Sequence, residues 1–389
     1  MPLVSGASER DRVITPYNAD VFEAELRRLD LLDRYPLLAH KFRYGFPIGD
    51  FDSLAYSFTP PNHSSGIEHL DFITAYIDEQ VSIGRMTGPY TRHEVETVLG
   101  TPFVSSPLSV VDKAGAPGKY RLVQNCSYKN DEGVSVNSQI NSDDFPTRWG
   151  TAAQVAEIIS TAPLGAQAAS LDIDSAFRNI PILPAHKKFL VIQREPGEFF
   201  IDHVCPFGIA SGPGIQGEPM DAVVDIIEAH EIKPNKKWVD DLINFRSPLG
   251  VDPVSDAYVY AYGLTDIFRV TAPLGVPWHP KKITDYSHEV VYLGFLWNLQ
   301  TRTVSLPDTK REKYTGKLMK VLDGMPERRV SQKDLMSING TLSHITFVYP
   351  HGRSYLTNLC TFIASSLHIR TRTPHVSPRN RSCQTSSGG

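Results

Sequence analysis

Apolar positions recur at helical spacing at both ends of the chain and at strand spacing through its middle. Phe22, Leu26 and Leu29 mark one face of a helix over residues 19–29. Leu70, Ile73, Ile77 and Val81 mark a second over 66–82, stopped by Gly84-Arg85-Met86-Thr87-Gly88-Pro89. Residues up to about 16 carry no such pattern and read as unstructured. From Pro102 β-rich runs take over. Residues 106–113 and 119–125 predict a hairpin turning through 114–118, with Lys113 on one arm and Arg121 on the other. A helix is expected over 151–159, a small-residue strand over 168–172 and another strand over 199–205. A Gly-rich loop, 206–214, then leads into a helix over 216–229. Residues 255–270 read as a helix with Ala257, Tyr260, Ala261, Leu264 and Phe268 on its stripe. Residues 290–297 read as one strand, followed by a short hairpin closing through 303–306. A basic helix then carries Lys310, Arg311, Lys313, Lys317 and Lys320, and two more helices are expected near 331–347 and 355–367. The polar Ser-, Pro- and Arg-rich tail, 371–389, predicts disorder.

The chemistry gathers at Trp238-Val239-Asp240-Asp241-Leu242-Ile243, where two adjacent acids interrupt two apolar runs. The flanks predict two short strands, and the acids then fall at the hairpin turn. Like charges held together are unfavourable without a cation, and a hard divalent ion is bound by carboxylates, water and phosphate oxygens. An isolated Asp-Asp is more often an exposed acidic turn. A second acidic block, Asp172-Ile173-Asp174, ends the 168–172 strand. Its two acids would share a face if the strand ran on, so periodicity does not choose between them. Asp172 is favoured because it lies between Leu171 and Ile173, whereas Asp174 beside Ser175 suits a solvated turn. Lys113 and Arg121 suit a triphosphate, although paired surface cations are commonly just solvated. The glycines of the 206–214 loop allow close backbone approach to a ligand, with a helix N-terminus behind them. The basic helix reads either as a solvated face or as a surface that tracks a phosphate backbone.

The 389 residues allow two or three lobes, and 21% charged with 41% hydrophobic residues describes an ordinary globular protein. No apolar run is long enough to span a membrane, and the N-terminus lacks a signal-peptide core. An intracellular location, cytoplasmic or nuclear, is expected, with no membrane partner. Cys126, Cys205, Cys360 and Cys383 are widely spaced and predict free thiols rather than a metal site. A net charge of −4 counts against a general nucleic-acid coat protein but not against an enzyme with one basic channel.

In this order the blocks resemble the reverse transcriptases of retrotransposons, most closely those of the tyrosine-recombinase (DIRS-type) elements of fungi. The resemblance covers roughly residues 66–367. Asp172-Ile-Asp-Ser175-Ala176-Phe177 is similar to the first palm motif and Pro206-Phe207-Gly208-Ile-Ala-Ser-Gly-Pro213 to the second. Trp238-Val-Asp240-Asp241 is similar to the catalytic hairpin, with Trp where Tyr is usual. Tyr292-Leu293-Gly294-Phe295 is similar to the primer grip.

The resemblance implies an α+β right-hand polymerase fold with an antiparallel palm sheet backed by helices. An N-terminal region (1–65) would precede fingers (66–165), palm (166–305), thumb helices (306–370) and tail (371–389). It implies metal binding by Asp172 and Asp240 with Asp241 in support, using Mg²⁺, with Mn²⁺ as an alternative. It also implies a nucleotide pocket of Lys113, Arg121, Ser175, Ala176, Phe177, Phe207, Gly208 and Lys282 (or Lys281), with Phe177 as the steric gate. The implied partners are an RNA or DNA template-primer and deoxynucleoside triphosphates; oligomeric state is left open. Two other readings are a catalytically silent remnant that binds nucleic acid, and a glycosyltransferase using Asp172-Ile173-Asp174. The last gives Asp240-Asp241 no role.

Overall fold

In the computed structural model, residues 9–113, 118–324 and 330–370 are described. They divide into two compact units, one within Met1–Leu293 and Asn298–Arg302, the other within Gly294–Trp297 and Thr303–Gly389. The predicted tail lies outside the described residues, as do Cys383 and most of the turn between Lys113 and Lys119.

The first unit is organised on an antiparallel sheet in the order Thr284–Ser287, Gln167–Asp172, Asp241–Arg246, Asn235–Trp238. Its two inner strands run in register from Gln167↔Arg246 to Asp172↔Asp241. The 167–172 strand is built from small residues because it is covered on both faces; Ala168 and Ala169 are fully buried. The helix Gly212–Ala229 packs behind the sheet. Met220, Val223, Ile226 and Ile227 share a core with Leu171, Leu242 and, from the N-terminal helices, Phe22, Leu26, Leu38 and Phe42. Gly214 and Gly217 let this helix touch the 145–147 segment. A β-carbon there would lie 1.9 Å from the Phe145 carbonyl oxygen and 2.1 Å from Thr147 Oγ1. Two glycines of the region thus serve packing against the chain itself.

A second sheet, Met86–Tyr90, Phe199–Asp202 and Val191–Gln193, separates two smaller cores by strand alternation. Phe200 faces Ile73, Ile77, Leu108, Val110 and Leu122, while Phe199 and Ile201 face Val95, Leu99 and Phe103. The predicted hairpin is present, Leu108–Asp112 pairing with Tyr120–Gln124.

The second unit contains the helices Asp308–Gly324, Gln332–Ile345 and Arg353–Arg370 around Val321, Leu335, Ile338 and Ile363. Ser331 and Asp334 form a capping box at the start of the middle helix.

Several sequence expectations are corrected. The 66–82 helix is two helices, Ser64–Glu68 and Leu70–Ser82, broken at His69. Only the end of 255–270 is helical. Asp252 accepts from the Val254 and Ser255 amides (2.9 and 2.8 Å), Tyr258–Tyr260 pairs with Pro248–Val251, and the helix begins at Leu264. Tyr260 is recruited away from a helix by Arg246, whose guanidinium lies 3.9 Å from its ring centroid. The 290–297 strand is interrupted by Leu293 and Gly294, at φ 51° and 81°, and becomes Glu289–Tyr292 and Phe295–Asn298. Residues 9–16 are held in place rather than unstructured. The fully buried Lys187 ammonium donates to the Arg10 and Arg12 carbonyls, and Thr15 Oγ1 donates to the Asn179 carbonyl (2.8 Å). A buried ammonium needs such acceptors, and local sequence gives no hint of them.

Candidate active site

Trp238 pairs with Asp241, so the turn residues are Val239 and Asp240, not the two acids as expected from the sequence. Val239 takes φ 55°, which a β-branched side chain rarely adopts. That geometry leaves Asp240 in the turn and puts Asp241 on the first position of the returning strand, opposite Asp172. Ile173 N–H donates to the Asp240 carbonyl (3.1 Å), and His279 N–H to that of Asp172 (2.7 Å).

Asp172, Asp240 and Asp241 each offer an oxygen within 4.8 Å of the others. Burial, then the Asp172 charge, raises Asp240 above the ordinary carboxylate range. Burial, then a hydrogen bond with Asp172 and the charges of Asp240 and Asp172, pushes Asp241 up to about 7. Lys282 is the nearest compensation, its Nζ donating to Asp172 Oδ2 at 2.6 Å. Burial works against the Lys282 charge, but that hydrogen bond and the three carboxylates hold it above the usual lysine range. Convergent oxygen donors with an excess of negative charge fit a hard cation, so this triad could hold a metal ion. Asp174 is exposed and accepts from Ser175 Oγ (3.0 Å); it is not in the group.

Beside the triad, the Arg121 guanidinium lies 5.3 Å from the Phe207 ring centroid, and Phe207 lies 5.3 Å from Phe177. Arg121 also draws Asp240 down electrostatically, against the dominant effect of burial. Gly208, at φ 114°, passes so close to the Gln124 carbonyl that a β-carbon would sit 2.2 Å from its oxygen. This glycine's close approach is to the chain itself. Ala176 is buried, and Ser175 is exposed at φ 55°. Lys113 is exposed at the end of its arm, its N–H donating to the Lys119 carbonyl (2.7 Å). Tyr292 is buried, and its phenol is raised by burial and then by Asp241. Gly294 and Phe295 belong to the second unit.

Two features were missed in the sequence. Trp149 and Trp238, both partly exposed, lie 4.8 Å apart. Gly150 N–H donates to the Lys237 carbonyl at 2.6 Å, clamping the outer hairpin strand. Arg178, next to Phe177, grips the fully buried Asp202 with two bonds of 2.6 and 3.0 Å. Arg178 also donates to Gln80 Oε1, and Gln124 Nε2 donates to Asp202. A charged residue between Phe177 and the apolar Ile180 was the available signal for this pair.

No protein-family model matches the chain, and no curated protein matches it. Solved structures do. A foamy viral protease-reverse transcriptase in complex with RNA/DNA hybrid is 16% identical at a TM-score of 0.52, covering 95% of this chain and 47% of that one. A foamy viral protease-reverse transcriptase dRH in complex with ds DNA is 16% identical at a TM-score of 0.49, covering 93% and 62%. The chain thus spans roughly half of the first structure's length and three-fifths of the second's. The 0.52 match gives a reverse-transcriptase-like fold.

Proposed function

We propose that the chain is an RNA-directed DNA polymerase of a retrotransposon, of the tyrosine-recombinase (DIRS-type) group, that extends a primer with deoxynucleotides. The carrying observation is the convergence of Asp172 with Asp240 and Asp241 across one strand pair in a reverse-transcriptase-like fold. In this reading the first unit supplies fingers (66–165) and palm (166–305, whose end falls in the second unit), and residues 306–370 form the thumb.

Asp172 and Asp240 would hold Mg²⁺ or Mn²⁺, with Asp241 in support. When bound, the metal lowers the pKa of the primer 3′-hydroxyl and stabilises the leaving pyrophosphate. The residues of the chain do the rest. Arg121 and Lys113 grip the triphosphate oxygens. Phe177, backed by Phe207, crowds a ribose 2′-hydroxyl, and Ser175 and Ala176 line the sugar side. Gly208 keeps the loop low against the nucleotide. Lys282 is held beside the reacting phosphates by the carboxylates and donates to the departing pyrophosphate. Tyr292 to Phe295 hold the primer end. The hybrid in the foamy viral complex supports an RNA/DNA template-primer as the partner.

The test is primer extension on an RNA template with Mg²⁺ or Mn²⁺, comparing wild type with Asp240→Ala. Extension by wild type alone is expected. Hybrid binding without extension by wild type would leave the silent remnant, and neither binding nor extension would overturn the reading.

A further inference from the structure

Lys282 reaches the acidic triad from a single short turn, Pro280–Lys282. Its Nζ donates to Asp172 Oδ2 at 2.6 Å, yet the side chain is more than half exposed. A lysine stem is flexible, so its ammonium is only as well placed as the backbone from which it starts.

The chain entering that turn is tied down. Asp174 N–H donates to the Pro277 carbonyl (2.9 Å), Trp278 bridges Ile173, and Trp278 Nε1 donates to the buried Thr271 hydroxyl (2.9 Å). At His279 three polar groups are then in use. Its N–H donates to the Asp172 carbonyl (2.7 Å), its carbonyl accepts from Lys282 N–H (3.0 Å), and its ring Nδ1 accepts from Lys281 N–H (3.2 Å). Pro280 has a fixed φ and no N–H, so the first amide of the turn that needs an acceptor is that of Lys281. The imidazole supplies it, as the side chain of an N-cap does. Two of the three bonds belong to the backbone and do not depend on the side chain. The third belongs to the ring alone.

We propose that His279 is a positioning residue for Lys282, its ring capping the turn that sets where the Lys282 stem begins and so holding the ammonium beside Asp172. This rests on the polymerase reading, in which Lys282 serves the departing pyrophosphate. His279 acts through the turn and not on the substrate. The geometry also says which replacements can do the same. Asn Oδ1 lies as many bonds from the backbone as His Nδ1 and is a common N-cap acceptor, Gln Oε1 lies one bond farther out, and Leu has no acceptor.

The experiment is primer extension by the full chain on an RNA template, with wild type, His279→Leu and His279→Asn, each also combined with Lys282→Met. His279→Leu is expected to lower kcat about three- to tenfold with KM for the nucleotide nearly unchanged, because the leaving group's charge develops only in the transition state. His279→Asn should restore the rate. Over Lys282→Met, His279→Leu should cost nothing further. A second readout needs neither metal nor nucleotide: hydrogen exchange of the Lys281 amide should be several-fold faster in His279→Leu than in wild type or His279→Asn.

If wild type extends and His279→Leu extends equally well, the proposal is overturned and the polymerase reading stands. The same holds if the loss persists in full over Lys282→Met, or if Lys282→Met itself extends like wild type. Equal Lys281 exchange in wild type and His279→Leu would remove the cap itself. If wild type does not extend a primer, both readings fall. Should His279→Leu not fold, His279→Gln takes its place: slow extension by Gln beside fast extension by Asn is expected, and equal rates would overturn the proposal.

Discussion

The first unit contains two clusters of charge built on opposite terms. At Arg178 and Asp202 every charge is answered: a buried guanidinium meets a buried carboxylate through two bonds, and Gln80 and Gln124 take up further valences. At Asp172, Asp240 and Asp241, three carboxylates face one closely bonded lysine, and two of them are raised toward protonation. The first arrangement is complete and can only hold the structure together. The second is short of positive charge, which is the condition for taking up a cation.

Removing a member from each cluster should therefore break different things. Asp240→Ala should cut primer extension by about 10³-fold or more, since a lost metal contact costs several kcal/mol of transition-state stabilisation. Its thermal melt should not drop. Arg178→Met should do the reverse, leaving Asp202 buried and unpaired. Urea unfolding should show a loss of about 3–5 kcal/mol. If Arg178→Met melts like wild type, the contrast between the clusters is wrong.

Phe177 is next to Arg178 in sequence and lies against Phe207 in space. Phe177→Ala should lower discrimination against ribonucleotides by about 10- to 100-fold, read as the ratio of kcat/KM for the two nucleotide classes. Retained discrimination would leave Phe177 with packing alone.

The smallest effect concerns proton binding. In the folded chain Asp241 is raised to about 7 from an ordinary 3.8, so the folded state keeps a proton that the unfolded state gives up. Its contribution to stability is full below about pH 4 and is lost as pH rises to about 7. Asp241→Asn should flatten that decline. In chelator at pH 8 it should be more stable than wild type by about 1–2 kcal/mol, the shift being discounted for partial exposure. Melts from pH 4 to 8 check this, and added divalent metal should favour wild type instead. A wild type whose stability rises with pH across this window would contradict the crowding of the triad.

Local pattern carried much of this. Alternation and helical spacing are enough to mark the 167–172 strand, the paired runs around Asp240-Asp241 and the long helix before them, because each buries a face whose period is written in consecutive residues. The preference for Asp172 over Asp174 came from apolar neighbours one residue away, and Asp172 is the acid that meets Asp240 and Asp241.

What local pattern could not carry were meetings between residues far apart in the chain. Tyr260 leaves its helical stripe because Arg246 lies beneath it. Residues 9–16 are fixed because Lys187 is buried under them. Asp241 moves from turn to strand because Val239 accepts an unfavourable φ, an arrangement that the pairing of two whole strands imposes. The sequence by itself determined which residue types are available and which faces are apolar. Only the tertiary structure decided which charges are answered and which are left facing one another, because burial and distance, not composition, set the energy of a charge.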